Sequence, residues 1–163
     1  MTVYGKDRYR LDFWTNVALT FLVSMIPVLE LRFAIPFGVT RGLGLKVSIA
    51  ASILGNLVPV PFIIIFIRRI FAWLRGKNDS FNALVTSLEE RAESKRHIVD
   101  RYAFWGLVIL VAIPLPGTGA WTGALVAAMM DLRLRRAFPA IALGVVIAAF
   151  VVSVITYGAR MVF

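Results

Sequence analysis

The sequence predicts an all-α, polytopic membrane protein, built as an inverted repeat in which each half has a re-entrant hairpin and one transmembrane helix. Hydrophobic residues make up 60% of the 163 residues and charged residues only 17%, whereas soluble domains are about half apolar and a quarter charged. The apolar sequence is also interrupted by Pro and Gly around Pro27–Gly44 and again around Pro114–Gly123. Such breaks at membrane depth, one in each half, are typical of binding sites between two repeats.

Charge and composition exclude several classes of protein. The net charge is +9, but Lys and Arg cluster at the ends of apolar segments, where they face lipid headgroups, so we expect no nucleic-acid partner. The chain has no cysteine and His97 is its only histidine, so we expect neither a metal site nor a cofactor. The sequence has no catalytic triad pattern and no phosphate-binding glycine loop, and it predicts no enzymatic activity.

Four apolar blocks define the predicted elements. The first block, 13–29, follows a basic stretch without a cleavage site, and we interpret it as an uncleaved membrane segment. The second block, 45–74, exceeds the roughly 20 residues that a helix needs to span a bilayer, and prolines kink it. The third block, 102–113, leads through a break into a short apolar helix at 124–130. The fourth block, 137–162, is a second full span.

The sequence is compatible with two arrangements of these blocks. In one, blocks one and three form re-entrant hairpins, so that the second half is inverted relative to the first; in the other, all four blocks span the membrane. Four spans would bury Glu30 and Arg32 inside the first span, which is unfavourable unless the two are paired. Sparse matches between the halves favour the repeat, namely Ile26-Pro27 with Ile113-Pro114, Lys46 with Arg135, and Gly55 with Gly144.

The predicted organisation is a single membrane domain over 1–163, made of half one (13–74), a linker (75–101) and half two (102–163). Both arrangements place the linker on the cytoplasmic side of the cell membrane. Small residues in the second block are compatible with helix packing in a homodimer, and membrane lipids are the expected surroundings.

The linker is predicted to be an amphipathic helix. Asp79 or Ser80 can cap it, and five apolar residues share one face: Phe81, Leu84, Val85, Leu88 and Ala92. We interpret it as a helix that lies on the membrane surface; an interfacial gate or a dimer contact is the alternative.

Glu30 is the one carboxylate surrounded by apolar sequence. In a low-dielectric site a carboxylate either keeps a cation beside it or takes up a proton, so Glu30 is a candidate for proton coupling. Arg32 stays charged and suits an anionic headgroup, or Glu30 itself. The alternative is a structural Glu30–Arg32 pair that only fixes the hairpin tip. The hairpin breaks themselves are predicted at Pro27, Pro36, Pro114, Pro116 and Gly117.

The second break carries groups that could bind an anion. Gly119 lets a ligand approach the backbone, and Thr118 and Thr122 supply hydroxyl groups. A helix that begins near Trp121 would direct free N–H groups and its positive dipole end at the anion. The alternative is close helix packing through these small residues.

Arg135 and Arg136 follow the second break at a predicted bilayer edge. They could bind phosphate headgroups from the leaflet. The alternative is that they only set the topology of the chain.

Two segments resemble a known family. ELRFAIP at 30–36 and PLPGTGAWTGALVA at 114–127 are similar to sequences of the small multidrug export protein family, and the resemblance covers nearly the whole chain. It implies a prokaryotic membrane protein that exports drugs. The arrangement is also similar to the DedA (SNARE-associated, VTT) superfamily, whose re-entrant hairpins are associated with moving polyprenyl-phosphate or other phospholipids. By that likeness Glu30 takes the acidic hairpin role, and Arg135 or Arg136 takes the arginine role.

Three functions follow. The leading hypothesis is a secondary transporter or lipid translocase that moves an anionic amphiphile, such as a polyprenyl phosphate or a phospholipid, with protons coupled through Glu30. The second is a multidrug exporter of lipophilic cations, with Glu30 as countercharge and an aromatic pocket of Phe33, Phe37 and Trp121. The third is a membrane scaffold that does not transport and recruits a partner through the linker helix.

Overall fold

The computed structural model describes residues 3–102, 104–115 and 117–162, with side chains described for 11–95, 104–115 and 117–158. Within these ranges the chain forms helices and connecting turns, which confirms the all-α class. The helices are α1 (Val3–Met25), α2 (Glu30–Thr40), α3 (Leu45–Leu57), α4 (Pro59–Arg75), α5 (Asp79–Tyr102), α6 (Phe104–Ala112), α7 (Ala120–Met129) and α8 (Leu134–Val162).

The predicted breaks are shorter than the sequence suggested. Most of the first break is the 11-residue helix α2, so its non-helical backbone is confined to 26–29 and 41–44. Pro27 lies in the first of these turns. Pro36 lies inside α2 and does not mark a break, because a proline there removes one internal hydrogen bond without ending a helix that packs against α1. Similarly, α7 begins four residues before the predicted start at 124.

Among the described residues, two helical stretches are long and apolar enough to cross a membrane. They are Leu45–Arg75, with 31 residues, and Leu134–Gly158, with 25 residues, and their mean hydropathies are 2.2 and 2.7. Only 33% and 44% of their most apolar windows are buried, so much of their apolar surface faces outward. Helices α6 and α7 have 9 and 10 residues; each is about 15 Å long, half of a hydrocarbon core of about 30 Å.

The chain divides into two compact units. The first contains Met1–Asn56 and Ala149–Phe163, and the second contains Leu57–Ala148. In the first unit α1 packs against α2. In the second unit α4 packs against α7, and α5 contacts α4, α6 and α7.

The linker helix α5 is amphipathic, but its cap and its face differ from the prediction. The cap is Asn78 instead of Asp79 or Ser80: the Phe81 N–H donates to Asn78 Oδ1 at 2.9 Å, because α5 begins directly after Asn78. Of the five apolar residues, Val85 and Ala92 are fully buried, whereas Phe81 and Leu84 are exposed.

The same backbone pattern occurs in both sequence halves. The described residues with positive φ form three pairs, each 89 positions apart: Val28 (78°) with Gly117 (82°), Glu30 (48°) with Gly119 (118°), and Gly42 (86°) with Asp131 (56°). The third pair ends α2 and α7 alike, since the next residue, Leu43 or Leu132, donates its N–H to a carbonyl five residues back, at 3.0 and 2.9 Å. The backbone therefore adopts positive φ angles at equivalent positions in the two halves.

A close helix crossing also occurs in both halves. In each, a glycine of the long span lies against two residues of the helix that precedes the break: Gly55 against Phe21 and Ser24, and Gly144 against Val108 and Val111. The glycines are 89 positions apart and the residues that they contact are 87 apart, because the second break is two residues longer than the first. Neither crossing leaves room for a Cβ at the glycine.

Val28→Gly is expected to stabilise the fold. Val28 is β-branched, has a φ of 78° and is 80% exposed, so its backbone is strained and its side chain contributes little burial. Glycine loses more backbone entropy on folding than valine does, which offsets part of the relief of strain. We therefore expect a net gain of about 1 kcal/mol in the free energy of unfolding. The measurement is the midpoint of thermal unfolding in detergent. The control Ile26→Gly, at an exposed neighbour without a positive φ, should lower that midpoint. A midpoint for Val28→Gly below that of the wild type would contradict the strain.

Candidate functional site

A pocket beside the start of α8, which we call the α8 pocket, combines an apolar wall with two arginines. Its volume is about 460 Å³, and its lining comes from α6, the α7–α8 turn and the first turns of α8: Phe104, Leu107, Leu132, Arg135, Arg136, Ala137 and Pro139. This volume lies within the range of small-molecule sites, roughly 300–1,000 Å³. All of these residues belong to the second unit.

The charge of this pocket is entirely positive. Arg135 and Arg136 are the charged residues among those that line it, and neither forms an ion pair with a described residue. Both belong to the first turn of α8. The Arg136 and Ala137 N–H groups there already donate to the Arg133 carbonyl oxygen, at 2.8 and 3.1 Å, so the two guanidinium groups are the main donors left for an anion. Guanidinium groups and a helix N-terminus favour an anion, while the apolar wall favours a hydrocarbon chain.

A second pocket, of about 320 Å³, is lined by residues of α4, α5 and α7 and contains arginines that are already paired. Arg68 pairs with Asp131, and Arg75 pairs with Glu89. Arg68 also donates to the carbonyl oxygen of Met129 at 3.2 Å and so caps the negative C-terminal end of α7. Both arginines of the second pocket are therefore engaged, whereas Arg135 and Arg136 of the α8 pocket form no ion pair with a described residue.

Glu30 is buried at the first residue of α2. It is 4% exposed and has a φ of 48°, a conformation that is uncommon outside glycine. The partly buried Arg32 lies close enough to interact electrostatically with its carboxylate. The first unit therefore holds a buried carboxylate beside a cation.

Thr118 is engaged inside the second break. Its Oγ1 lies 2.6 Å from the Ile113 carbonyl oxygen and 2.8 Å from that of Leu115, and it accepts the Leu115 N–H at 3.3 Å. The hydroxyl group thus holds the turn together. Pro114 and Gly117 lie in this same turn, whereas Pro116 lies outside the described residues.

The remaining residues of the second break lie at the start of α7. Gly119 is its N-cap, and Trp121 and Thr122 occupy its first turn, where both are partly buried. The helix therefore begins next to Trp121, but Gly119 and Ala120 at its start are buried, so its first N–H groups are covered by the rest of the protein.

The model of the family described as "Putative small multi-drug export protein" matches residues 30–151. That range begins at Glu30, includes the whole second break and the α8 pocket, and covers three quarters of the chain. The chain belongs to the small multidrug export protein family. No curated protein and no solved structure matches the chain. Together with the two apolar spans, membership of this export family identifies a membrane protein of transport type.

In this family member, sequence reasoning missed a set of buried polar residues in the first unit. They are Thr20 and Ser24 of α1 and Ser48, Ser52 and Asn56 of α3, all 0% exposed. The spacing of four residues on α3 is visible in the sequence and places its three members on one helix face. Their burial was not visible, because apolar neighbours alone do not tell which face of a membrane helix is covered.

Proposed function

We propose that this protein is a secondary transporter that exports an anionic amphiphile, chemically a lipid phosphate, across the cell membrane. The α8 pocket carries the proposal. Its two arginines form no ion pair with a described residue and suit a phosphate headgroup, while Phe104, Leu107 and Pro139 suit the hydrocarbon chain. Arginines at the start of an apolar span are expected at the depth of the lipid headgroups, where such a substrate would enter from the leaflet.

The proposed architecture is a multi-pass inverted repeat with two re-entrant hairpins, α1–α2 and α6–α7. The paired positive-φ residues and the two glycine crossings support a repeat. The shortness of α2, α6 and α7 supports hairpins that return to the side from which they entered. Since each hairpin is followed by a single span, the second half is inverted relative to the first.

Glu30 is the proposed proton-coupling group. Burial favours its neutral form and Arg32 favours its charged form, so a shift in the surroundings of either side chain changes its proton occupancy. A carboxyl group balanced in this way can bind a proton on one side of the membrane and release it on the other.

The alternative functions have less support from the described contacts. A lipophilic cation would stack on Phe37, but the Arg41 guanidinium already lies 5.0 Å from the centroid of that ring. A scaffold would recruit its partner through the apolar face of α5, but Val85 and Ala92 on that face are buried inside the protein.

The test is to measure the sign of the ligand charge. Purified protein is titrated with a polyprenyl phosphate, with phosphatidylglycerol and with a quaternary ammonium dye, and binding is read by native mass spectrometry. The wild type should bind the phosphate lipids. The double variant Arg135→Ala/Arg136→Ala should bind them about 10²-fold more weakly, because it loses two charge-assisted interactions.

The matched control is Lys46→Ala. Lys46 is exposed and occupies the position in the first half that Arg135 occupies in the second. The variant removes one cation outside the pocket, so it should bind lipid as the wild type does. Displacement of the phosphate lipid by the dye, or unchanged lipid binding in the double variant, would contradict the proposal.

A further inference from the structure

Three polar side chains on one face of α3 are buried without hydrogen-bond partners. Ser48, Ser52 and Asn56 are 0% exposed, and both hydroxyl oxygens and both amide atoms lack a partner among the described residues. Because these atoms are already covered within one chain, a second copy at the surface could not supply partners for them. Buried polar groups are nearly always hydrogen-bonded, so an unpartnered set of this size calls for a function.

Two polar residues of α1 face the same region. An added Cβ at Gly38 would lie 2.6 Å from Ser48 Oγ and 3.0 Å from Thr20 Cγ2. Thr20 and Ser48 therefore lie beside each other, at the same height along the axes of α1 and α3. Ser24 lies against Gly55, next to Asn56. Thr20 lies near Ser48, and the later residue Ser24 lies near the later residue Gly55. The two helices therefore run in the same direction. We call Thr20, Ser24, Ser48, Ser52 and Asn56 the polar path.

Helix geometry places Glu30 towards one end of the polar path. Gly38 and Ser48 lie against each other on either side of the four-residue turn at 41–44, which indicates that α2 runs opposite to α3. Glu30 precedes Gly38 by eight residues and Asn56 follows Ser48 by eight, and eight residues correspond to about 12 Å of helix. Since Gly38 and Ser48 are in contact, Glu30 should lie at about the same height along the axis of α3 as Asn56.

The second half shows that the fold does not need polar residues at these positions. The equivalent residues there, 87 positions later in the first helix and 89 later in the long span, are all apolar and no more than 1% exposed: Leu107, Val111, Ala137, Ile141 and Val145. Two of them lie at glycine contacts of the second half: Val111 against Gly144 and Gly123, and Ile141 against Gly123. Packing alone therefore does not explain why the first half is polar.

We propose that the polar path is hydrated during transport and carries protons along a file of water molecules to Glu30, from the end at Thr20 and Ser48. Hydroxyl and amide groups both donate and accept, as each water in such a file requires. A sodium ion would instead need several oxygens converging on one point, whereas these groups are spread over about 12 Å of helix. The inference rests on the proton-coupling role proposed for Glu30.

The packing of the helices permits water to enter. At Gly38 and Gly55 the helices meet through small side chains, those of Thr20, Ser24 and Ser48, so a small separation of the α1–α2 hairpin from α3 would open the polar path. Arg32 is the charged group that acts on Glu30. The described side chains of α1 and α3 include only Asp12 and Lys46 as charged groups, each near the end of its helix that is remote from Glu30.

The experiment follows proton exchange at Glu30 in purified protein without substrate. After a pH jump, infrared difference spectroscopy records the carboxyl band that is absent from Glu30→Gln. The triple variant Ser48→Ala/Ser52→Ala/Asn56→Val approximates the apolar second half. It should exchange about 10²-fold more slowly and unfold at the same or a higher temperature, because unpartnered polar groups are removed.

The control is Ser153→Ala. Ser153 is also a buried serine, but its Oγ donates to the Ala149 carbonyl oxygen at 2.5 Å, so this variant should exchange as the wild type does. If the triple variant does not fold, Asn56→Val alone is measured.

Three results would overturn the inference: unchanged exchange in the triple variant, a lower unfolding temperature for a folded variant, or stabilisation by sodium over choline that the variant loses. The last would indicate an ion site in place of a water file. Because exchange is read without substrate, a failure to bind phosphate lipids would count against the proposed function alone.

Discussion

Gly144→Ala should lower the free energy of unfolding by about 3 kcal/mol, the upper end of the cost of overpacking. The added Cβ would lie 2.7 Å from Val111 Cβ and 2.9 Å from the Val108 carbonyl oxygen. A carbonyl oxygen moves only with its helix, so α6 must shift away from α8 and disturb the wall of the α8 pocket. The measurement is thermal and chemical unfolding of purified protein in detergent.

Gly158→Ala is the matched control for this prediction. It makes the same change in the same helix, but an added Cβ there meets nothing within 4 Å. Alanine favours the helix over glycine by roughly 0.5–1 kcal/mol, so this variant should be slightly more stable than the wild type. Equal stabilities for the two variants would show that the crossing at Gly144 is not tight.

Glu30→Gln should reduce proton-driven export by about 10²-fold, the usual contribution of a positioned acid or base. Glutamine keeps the shape of the side chain and cannot ionise, so binding at Arg135 and Arg136 should be retained. The measurement is the flux of a fluorescent phosphate lipid in proteoliposomes with and without an imposed pH gradient. Flux that still responds to the gradient in this variant would remove Glu30 from coupling.

Two further variants separate the charge of Glu30 from its place in the fold. Glu30→Gly should lose coupling as Glu30→Gln does. Glycine accepts a φ of 48°, and Gly119 occupies the equivalent position, so this variant relieves the backbone strain, but it also removes the carboxylate beside Arg32. Glu90→Gln removes an exposed carboxylate on α5 and should transport normally.

The sequence predicted those features that depend on local composition. The length of the apolar runs gave the two spans, and Pro59 marks the place where α3 ends and α4 begins. The interior of the first break was predicted less well, because Pro and Gly suggest irregular backbone, whereas α2 accommodates Pro36 within a packed helix.

Features that depend on distant contacts could be predicted only in part. Arg135 and Arg136 were identified from their charge, but Phe104 and Leu107, which complete the pocket, lie about thirty residues earlier and carry no signal of that contact. The pairing of Arg68 with Asp131 spans 63 positions. It depends on how α4 packs against α7, which apolar periodicity does not determine.

The three positive-φ pairs bear on how the two halves of the proposed repeat differ. Each pair contains one glycine, and its partner is a valine, a glutamate or an aspartate. Glycine fits each of these turns without backbone strain, so the turn itself does not require the side chain found in the other half. At Glu30 that side chain is a carboxylate, at a position where Gly119 shows that a plain turn suffices. In the proposed transporter, the chemical difference between the halves therefore lies at a site where their backbones are alike.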